Sequence, residues 1–147
     1  MLDKNLIGKS LGTRSITVEK GRLRFFAKVI GETNPVYMDE AAAKEAGYDT
    51  VPVPPTFLFC LESDAFDSVG SAKLTNANAG RMLHGEQQFT YHAMAYAGDT
   101  LTFDVKVVDI YQKKGGALDF LVRETRVTNQ DGKHIADLRS IGVQRND

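Results

Sequence analysis

The sequence has very little cysteine, no excess of charge of either sign and no long hydrophobic run. Cys60 is the only cysteine, so no intrachain disulfide can form and nothing favours an oxidising compartment. Eighteen basic residues nearly balance nineteen acidic ones, which gives no field that would attract nucleic acid or an anionic membrane. No apolar stretch in the amino terminus, MLDKNLIGKSLG, is long enough for a signal peptide, and none elsewhere approaches the roughly 20 residues of a membrane span. We therefore expect a cytoplasmic protein with a small-molecule partner.

The length of 147 residues is typical of one domain, and nothing in the chain repeats at a fixed period. We expect a single domain over residues 1–147. The small, polar stretch 70–80 is the best candidate for a linker, and it divides a helical half from a strand half.

The chain before residue 50 predicts one strand and two helical segments. Residues 12–18 predict a short strand. Apolar residues then recur at helical spacing over 23–30, and Gly31 favours a helix end there. An alanine-rich helical turn is predicted over 38–46. The first of these helices is amphipathic, with one face expected to be buried.

A longer helix is predicted over 56–69, after a cluster of prolines that suits the first turn of a helix. Its apolar residues surround most of the circumference, which is typical of a buried helix. They are Phe57, Leu58, Phe59, Cys60, Leu61, Ala65, Phe66 and Val69. Glu62, Asp64 and Asp67 are expected to face solvent or a loop.

The second half predicts strands, because the periodicity changes to two, as in residues 101–107. Residues 81–91, 118–128 and 133–143 predict three more strands, with turns at 97–99, 115–116 and 131–132. Four sequential strands with short turns predict an antiparallel meander. The whole is expected to be an α+β domain, in which the sheet covers the apolar helix.

Two stretches of the sequence carry a family resemblance. GETNPVY, residues 31–37, resembles the pattern GDxNPxHxD of MaoC-like dehydratases and (R)-specific enoyl hydratases, and it matches at Gly31, Asn34, Pro35 and Asp39. LHGEQQFTYHAMAYAGDTL, residues 83–101, resembles the HGEQxFxYHRPLxAGD block of the family's amino-terminal, FAS1-like type of domain. The resemblance implies a hot-dog fold: an antiparallel sheet of about five strands wrapped around a long central helix. Such sheets commonly pair into dimers.

The resemblance also implies a reaction, the reversible addition of water to an enoyl thioester. In the family an aspartate and a histidine on this loop activate the water, and backbone donors at the start of the buried helix polarise the thioester carbonyl. Aligned through Asn34, the two catalytic positions carry Glu32 and Tyr37 here. Tyrosine stays protonated near neutrality, where histidine can exchange a proton. At the helix start, where active relatives typically carry HisGly, this chain has Pro54, Pro55 and Thr56, which leaves few backbone donors.

Several side chains are candidates for binding the acyl group: Asn34, Pro55, Thr56, Phe57, Phe59 and His84. Ordinary packing is the alternative for the phenylalanines, loop architecture for Asn34, and a polar strand face with Glu86, Gln88 and Thr90 for His84. No cofactor is expected. His84 and His92 lie roughly 26 Å apart along one strand, so they cannot share a metal ion, and no metal site of ordinary ligand spacing is evident.

Three functions fit these observations. The first is the substrate-binding, weakly catalytic or non-catalytic half of an (R)-3-hydroxyacyl-CoA or acyl-carrier-protein dehydratase, paired with a homologous catalytic hot-dog subunit. The second is a self-sufficient homodimeric hydratase that uses Glu32. The third is a hot-dog acyl-CoA thioesterase, for which Asp64 is the only tempting carboxylate.

Overall fold

The computed structural model describes residues 1–66 and 75–146. Asp67, Val69 and residues 70–74 of the expected linker lie outside this range. The described chain contains the strands β1 (Ser10–Thr17), β2 (Met82–Tyr91), β3 (Thr100–Lys113), β4 (Leu118–Thr128) and β5 (His134–Arg145), and the helices α1 (Lys20–Val29), α2 (Glu40–Glu45) and α3 (Phe57–Ala65). The predicted elements are therefore confirmed in type, and their ends shift by a few residues. In the described ranges, no helix has the length and apolar character to cross a bilayer.

The two shorter helices follow from local sequence. α1 buries Leu23 and Ala27, four residues apart on one face, and ends just before Gly31, whose φ of 72° suits glycine. α2 begins after Asp39, whose carboxylate accepts a hydrogen bond from the amide of Ala42 at 2.8 Å. Asp39 is thus a helix cap, a role that its position at the positive end of the helix dipole also favours.

α3 is shorter than the sequence predicts. It has nine residues and ends at Ala65, after which Phe66 takes extended backbone angles. Its start is held because residues 51–53 pair with residues 95–97: the amide of Val53 donates to the carbonyl of Ala95 at 2.8 Å. The helix begins where the paired segment ends, and the prolines between them block any earlier start.

The five strands form one antiparallel sheet in the order β1-β3-β4-β5-β2. The expected four-strand meander is wrong for β2. That strand pairs with β5 rather than with β3, so only β3, β4 and β5 form a meander. β1 and β2 are the edges of the sheet.

The core lies between α3 and the side chains on the face of the sheet that packs against it. Leu58 and Leu61 of α3 pack in one cluster with Leu101 and Phe103 of β3 and with Leu138 of β5, and all five are at most 1% exposed. Burying side chains of this size contributes about 1.5–3 kcal/mol each. α3 is therefore the buried centre of the domain, as expected.

Candidate functional site

Two cavities lie on different sides of α3. The one we call the Tyr37 cavity has a volume of about 530 Å³ and is bounded by Tyr37, by Pro54, Pro55 and Leu58 at the start of α3, and by His92 and Met94 after β2. The other, the Glu62 cavity, has a volume of about 340 Å³ and lies between α3 and the strands β2, β4 and β5. The family-like loop and the helix start thus meet at the Tyr37 cavity.

The loop before α2 is held by its own side chains. The carboxylate of Glu32 accepts hydrogen bonds from the amides of Thr33 and Asn34, each at 2.8 Å. The side chain of Asn34 accepts one from the amide of Val36 at 3.2 Å and caps the short 3-10 turn Pro35–Tyr37. Both side chains therefore stabilise the loop, as short polar side chains commonly do in turns.

Tyr37 lies on the wall of the Tyr37 cavity. Partial burial raises the pKa of its hydroxyl, and the neighbouring Tyr48 and Glu32 raise it further. Its ordinary pKa, near 10, is already far above neutrality. Tyr37 is therefore a neutral hydrogen-bonding group under ordinary conditions, and it is a weak base.

The start of α3 offers few hydrogen-bond donors. Pro54 and Pro55 have no amide hydrogen, and the amide of Phe57 is used by the carbonyl of Pro54 at 3.0 Å. Thr56 is exposed, and its hydroxyl makes no capping bond. The hydroxyl of Tyr91 donates to the carbonyl of Pro55, and the partial burial of this side chain raises the pKa of Tyr91 to about 12. A hydrogen bond thus connects the segment before α3 to the end of β2.

The Glu62 cavity contains a buried carboxyl group. Glu62 is 7% exposed and accepts a hydrogen bond from the hydroxyl of Thr125 at 2.9 Å. Burial raises the pKa of Glu62, against the opposing effects of Thr125, Arg123 and His84. The expectation that Glu62 faces solvent or a loop is wrong. It lies four residues after Leu58, on the stripe of α3 that faces the sheet.

The structure distributes the predicted site residues over three places. Tyr37 and Pro55 lie on the Tyr37 cavity, while Phe59 and His84 lie on the Glu62 cavity with ring centres 4.9 Å apart. Phe57 is in the core, 4.8 Å from Phe26 between ring centres. The boundary of neither cavity, as far as the described residues form it, includes Glu32, Asn34 or Thr56.

A bulge in β2 changes the expected face of His84. The pairing of β2 with β5 shifts between His84 and Glu86, so the alternation of side chains breaks at Gly85. His84 therefore contacts Phe59 and lies on the Glu62 cavity, away from the polar face that Glu86 and Gln88 were expected to share with it. The signal in the sequence is the glycine within a strand, which is common at bulges.

Asp64, the carboxylate considered for thioester hydrolysis, forms a salt bridge with Arg22 of α1. It is not among the described residues that line the two cavities. Its position gives no support to a hydrolytic role.

Sequence spacing also missed a cluster of His92, His134 and Asp137. Nε2 of His92 lies 2.7 Å from one carboxylate oxygen of Asp137, and Nε2 of His134 lies 2.9 Å from the other. Burial opposes ionisation of Asp137, but the hydrogen bonds from both histidines outweigh it and lower the pKa of this carboxyl. His92 directly follows β2, and His134 and Asp137 are in β5; these segments are adjacent only in the folded sheet, so no motif in the sequence marks the cluster.

Comparison with known proteins places these features in a family. Residues 5–138 match the family described as FAS1-like, dehydratase domain region. A UPF0336 protein of Saccharopolyspora erythraea is 34% identical over 145 residues, which are 98% of this chain and 92% of that protein. A UPF0336 protein of Streptomyces avermitilis is 33% identical over 135 residues, 91% of this chain and 89% of that one.

Solved structures agree on the fold. A chain of the HadBC (3R-hydroxyacyl-ACP dehydratase) complex of Mycobacterium tuberculosis superposes with a TM-score of 0.80 at 21% identity, over 94% of this chain and 96% of that one. The (R)-hydratase PhaJ1 of Pseudomonas aeruginosa gives 0.72 at 21% identity, over 96% and 83%. The predicted α+β hot-dog fold is confirmed. The chain belongs to the FAS1-like dehydratase domain family and has the hot-dog fold of the MaoC-like dehydratases and (R)-hydratases.

Proposed function

We propose that this single-domain chain is the acyl-thioester-binding, weakly catalytic or non-catalytic half of an (R)-3-hydroxyacyl-CoA or acyl-carrier-protein dehydratase. The observation that carries the proposal is the position of Glu32. One oxygen of its carboxylate, Oε1, accepts hydrogen bonds from the amides of Thr33 and Asn34, which holds the side chain against its own loop, and Glu32 is not among the described residues that line the Tyr37 cavity. A general base must reach the proton that it removes, at about 2.6–3.2 Å.

Tyr37 does not replace the missing histidine. Reversible hydration needs one group that gives up a proton and takes it back near neutral pH, and a tyrosine with a raised pKa holds its proton there. The hydroxyl can still donate a hydrogen bond to a bound thioester. Binding without proton transfer is the role that this pair of residues supports.

The Tyr37 cavity suits an acyl chain or the pantetheine arm of a thioester. Val53, Pro54, Leu58, Met94 and Ile135 give it apolar walls, and a volume of about 530 Å³ is within the range of small-molecule sites, about 300–1,000 Å³. Tyr37 and Tyr48 supply hydroxyl groups at the edge of this apolar surface. We infer that the chain binds acyl-CoA or acyl-carrier-protein there, in the cytoplasm.

The partner is inferred to be a homologous hot-dog subunit, either a second copy or a chain with an intact aspartate and histidine. β2 is an edge strand, and Leu83, Tyr91 and Met94 on or beside it are exposed apolar residues. Pairing with a partner at this edge would satisfy the unpaired backbone groups of β2 and cover the exposed apolar side chains. The HadBC and ChsH1-ChsH2 structures of similar fold are described as complexes of two proteins, which supports this inference.

Co-expression with a catalytic hot-dog subunit tests the proposal. We expect a stable heterodimer that hydrates a trans-2-enoyl-CoA, followed by loss of the enoyl absorbance, while this chain alone shows little or no hydration. Exchanging Glu32→Asp and Tyr37→His together in this chain should raise its own activity. Efficient hydration by the unmodified chain alone would contradict the non-catalytic role.

One observation keeps the self-sufficient hydratase as a second candidate: Glu32 is close enough to Tyr37 for its charge to raise the pKa of that tyrosine. Glu32→Gln discriminates, because glutamine can still accept the hydrogen bonds of the loop but cannot act as a base. We expect any residual hydration by this chain alone to be unchanged, as in the control Glu45→Gln on the exposed side of α2. Loss of activity in the Glu32 variant alone would favour the second candidate.

A further inference from the structure

The side chains of His92, His134 and Asp137 converge at the end of the sheet where β2 finishes and β5 begins. Both oxygens of Asp137 are used, one by each histidine, at 2.7 and 2.9 Å. The two imidazole rings lie with their centres 4.2 Å apart and are tilted by 30°. One potential ligand atom from each residue lies within 4.8 Å of those of the others. The cluster is thus compact and has two nitrogen donors and one oxygen donor.

The fold brings these residues together by two features. The amide of His92 donates to the carbonyl of Ile135 at 2.8 Å, which extends the pairing of β2 and β5 past Tyr91. In β5, His134 and Asp137 are three residues apart and would face opposite sides of a regular strand. The pairing with β4 shifts at Thr128, where an extra residue of β5 breaks the alternation and allows both side chains to face His92.

We propose that His92, His134 and Asp137 form a binding site for a divalent transition-metal ion of the zinc class. Imidazole nitrogens with a carboxylate oxygen are a donor set that Zn²⁺ accepts, and three protein ligands leave a fourth position open. Around Zn²⁺ the donors lie about 2.0–2.2 Å from the ion and so within about 3.5 Å of one another. The two nitrogen–oxygen pairs are already closer than this, and rotation of the partly exposed side chains has to bring the most distant ligand atoms, which lie up to 4.8 Å apart, to the same separation.

Without metal, each Nε2 carries a proton and donates it to the carboxylate, because an ionised carboxylate is only an acceptor. When the ion binds, Nε2 offers its lone pair and the proton is carried by Nδ1 or lost to water, so charge and protons balance. Arg126 of β4 lies opposite Asp137 of β5 in the strand register. Its positive charge disfavours binding of a cation near Asp137. His92 also borders the Tyr37 cavity, so an ion held here would lie beside that cavity.

Zinc binding to tag-free, chelator-treated protein tests the proposal, with zinc chloride as the titrant in calorimetry. We expect saturable binding of one ion per chain. His134→Ala and Asp137→Asn should each weaken it by more than about tenfold, the lower end of what loss of even a supporting residue costs. His84→Ala is the matched control, because His84 is the remaining histidine and lies on the other cavity. Arg126→Gln should tighten binding.

A thermal-unfolding series with and without zinc gives a second measurement. The wild type and the His84 variant should gain melting temperature with zinc, and the His134 and Asp137 variants should not, although all four remain folded by circular dichroism. Weak, non-saturating binding to the wild type would overturn the proposal. So would equal affinity in the His134 variant, or equal loss in the His84 control. These outcomes are independent of hydratase activity.

Discussion

Glu62 gives a sharp test of the packing around α3, because a carboxyl group that is only 7% exposed must titrate abnormally. Burial raises its pKa, and the hydrogen bond from Thr125 and the charge of Arg123 only oppose that effect. We predict that Glu62→Gln makes the protein more stable than the wild type near neutral pH and nearly equal to it in acid.

The sign follows from which state releases its proton first. An unfolded glutamate titrates near pH 4.3, about its reference value, and below this pH both states hold the proton. At higher pH the unfolded chain has released the proton while folded Glu62 still holds it, so stability falls as pH rises until the folded pKa is passed. Each unit by which the folded pKa exceeds the unfolded one costs about 1.4 kcal/mol of unfolding free energy.

Urea unfolding followed by circular dichroism, at intervals from about pH 4 to about pH 8, measures the effect. At the acid end the Glu62→Gln variant should lie within about 1 kcal/mol of the wild type, because glutamine keeps the shape and can accept the bond from Thr125. As pH rises, the unfolding free energy of the variant should increasingly exceed that of the wild type. Glu45→Gln, at an exposed position on α2, is the control. If the unfolding free energies of the wild type and the Glu62 variant changed with pH in parallel, the reasoning would be refuted.

Three further substitutions test the fold. Gly85→Ala should cost about 1–3 kcal/mol of unfolding free energy, because the new methyl group would lie 2.9 Å from a side-chain carbon of Val143 at the bulge. Leu61→Ala should cost about 2–5 kcal/mol, since Leu61 is fully buried in the core; urea unfolding measures both. Tyr91→Phe removes the hydrogen bond to the carbonyl of Pro55. The wild type should lose stability between about pH 10, where an unfolded tyrosine ionises, and about pH 12, and this loss should be smaller in the variant, where only the other tyrosines with raised pKa values contribute to it.

The elements of the fold could be predicted from the sequence because their signals are local. Period-two alternation marked β3, helical spacing marked α1, and the prolines marked the start of α3. The position of β2 in the sheet could not be predicted in this way, because strand order depends on contacts between distant segments. Gly85 within a strand was a local sign of a bulge, but the face that each side chain of β2 takes depends on pairing with β5, because one extra residue reverses the alternation.

The site was predictable where the motif is continuous in sequence. The loop pattern led to Tyr37 and the helix start, and both lie on the Tyr37 cavity. It did not show that the Glu32 carboxylate is engaged by backbone amides, since that depends on a side-chain conformation. Glu62 carried a usable signal that the prediction overlooked: it lies four residues after Leu58, so it falls on the buried stripe of α3.

The residues on the two sides of α3 support the proposal that this member of a dehydratase family is a binding subunit. Dehydration needs an acid and a base around one water molecule next to the thioester. On the Tyr37 side, Oε1 of Glu32 accepts hydrogen bonds from two backbone amides, and the hydroxyl of Tyr37 holds its proton near neutral pH. On the other side, Glu62 accepts a hydrogen bond from the hydroxyl of Thr125 and lies on the Glu62 cavity, away from Tyr37. Glu32 and Glu62 thus contribute to loop and core structure, and the apolar wall at the start of α3 is the surface that the proposed binding role assigns to a substrate.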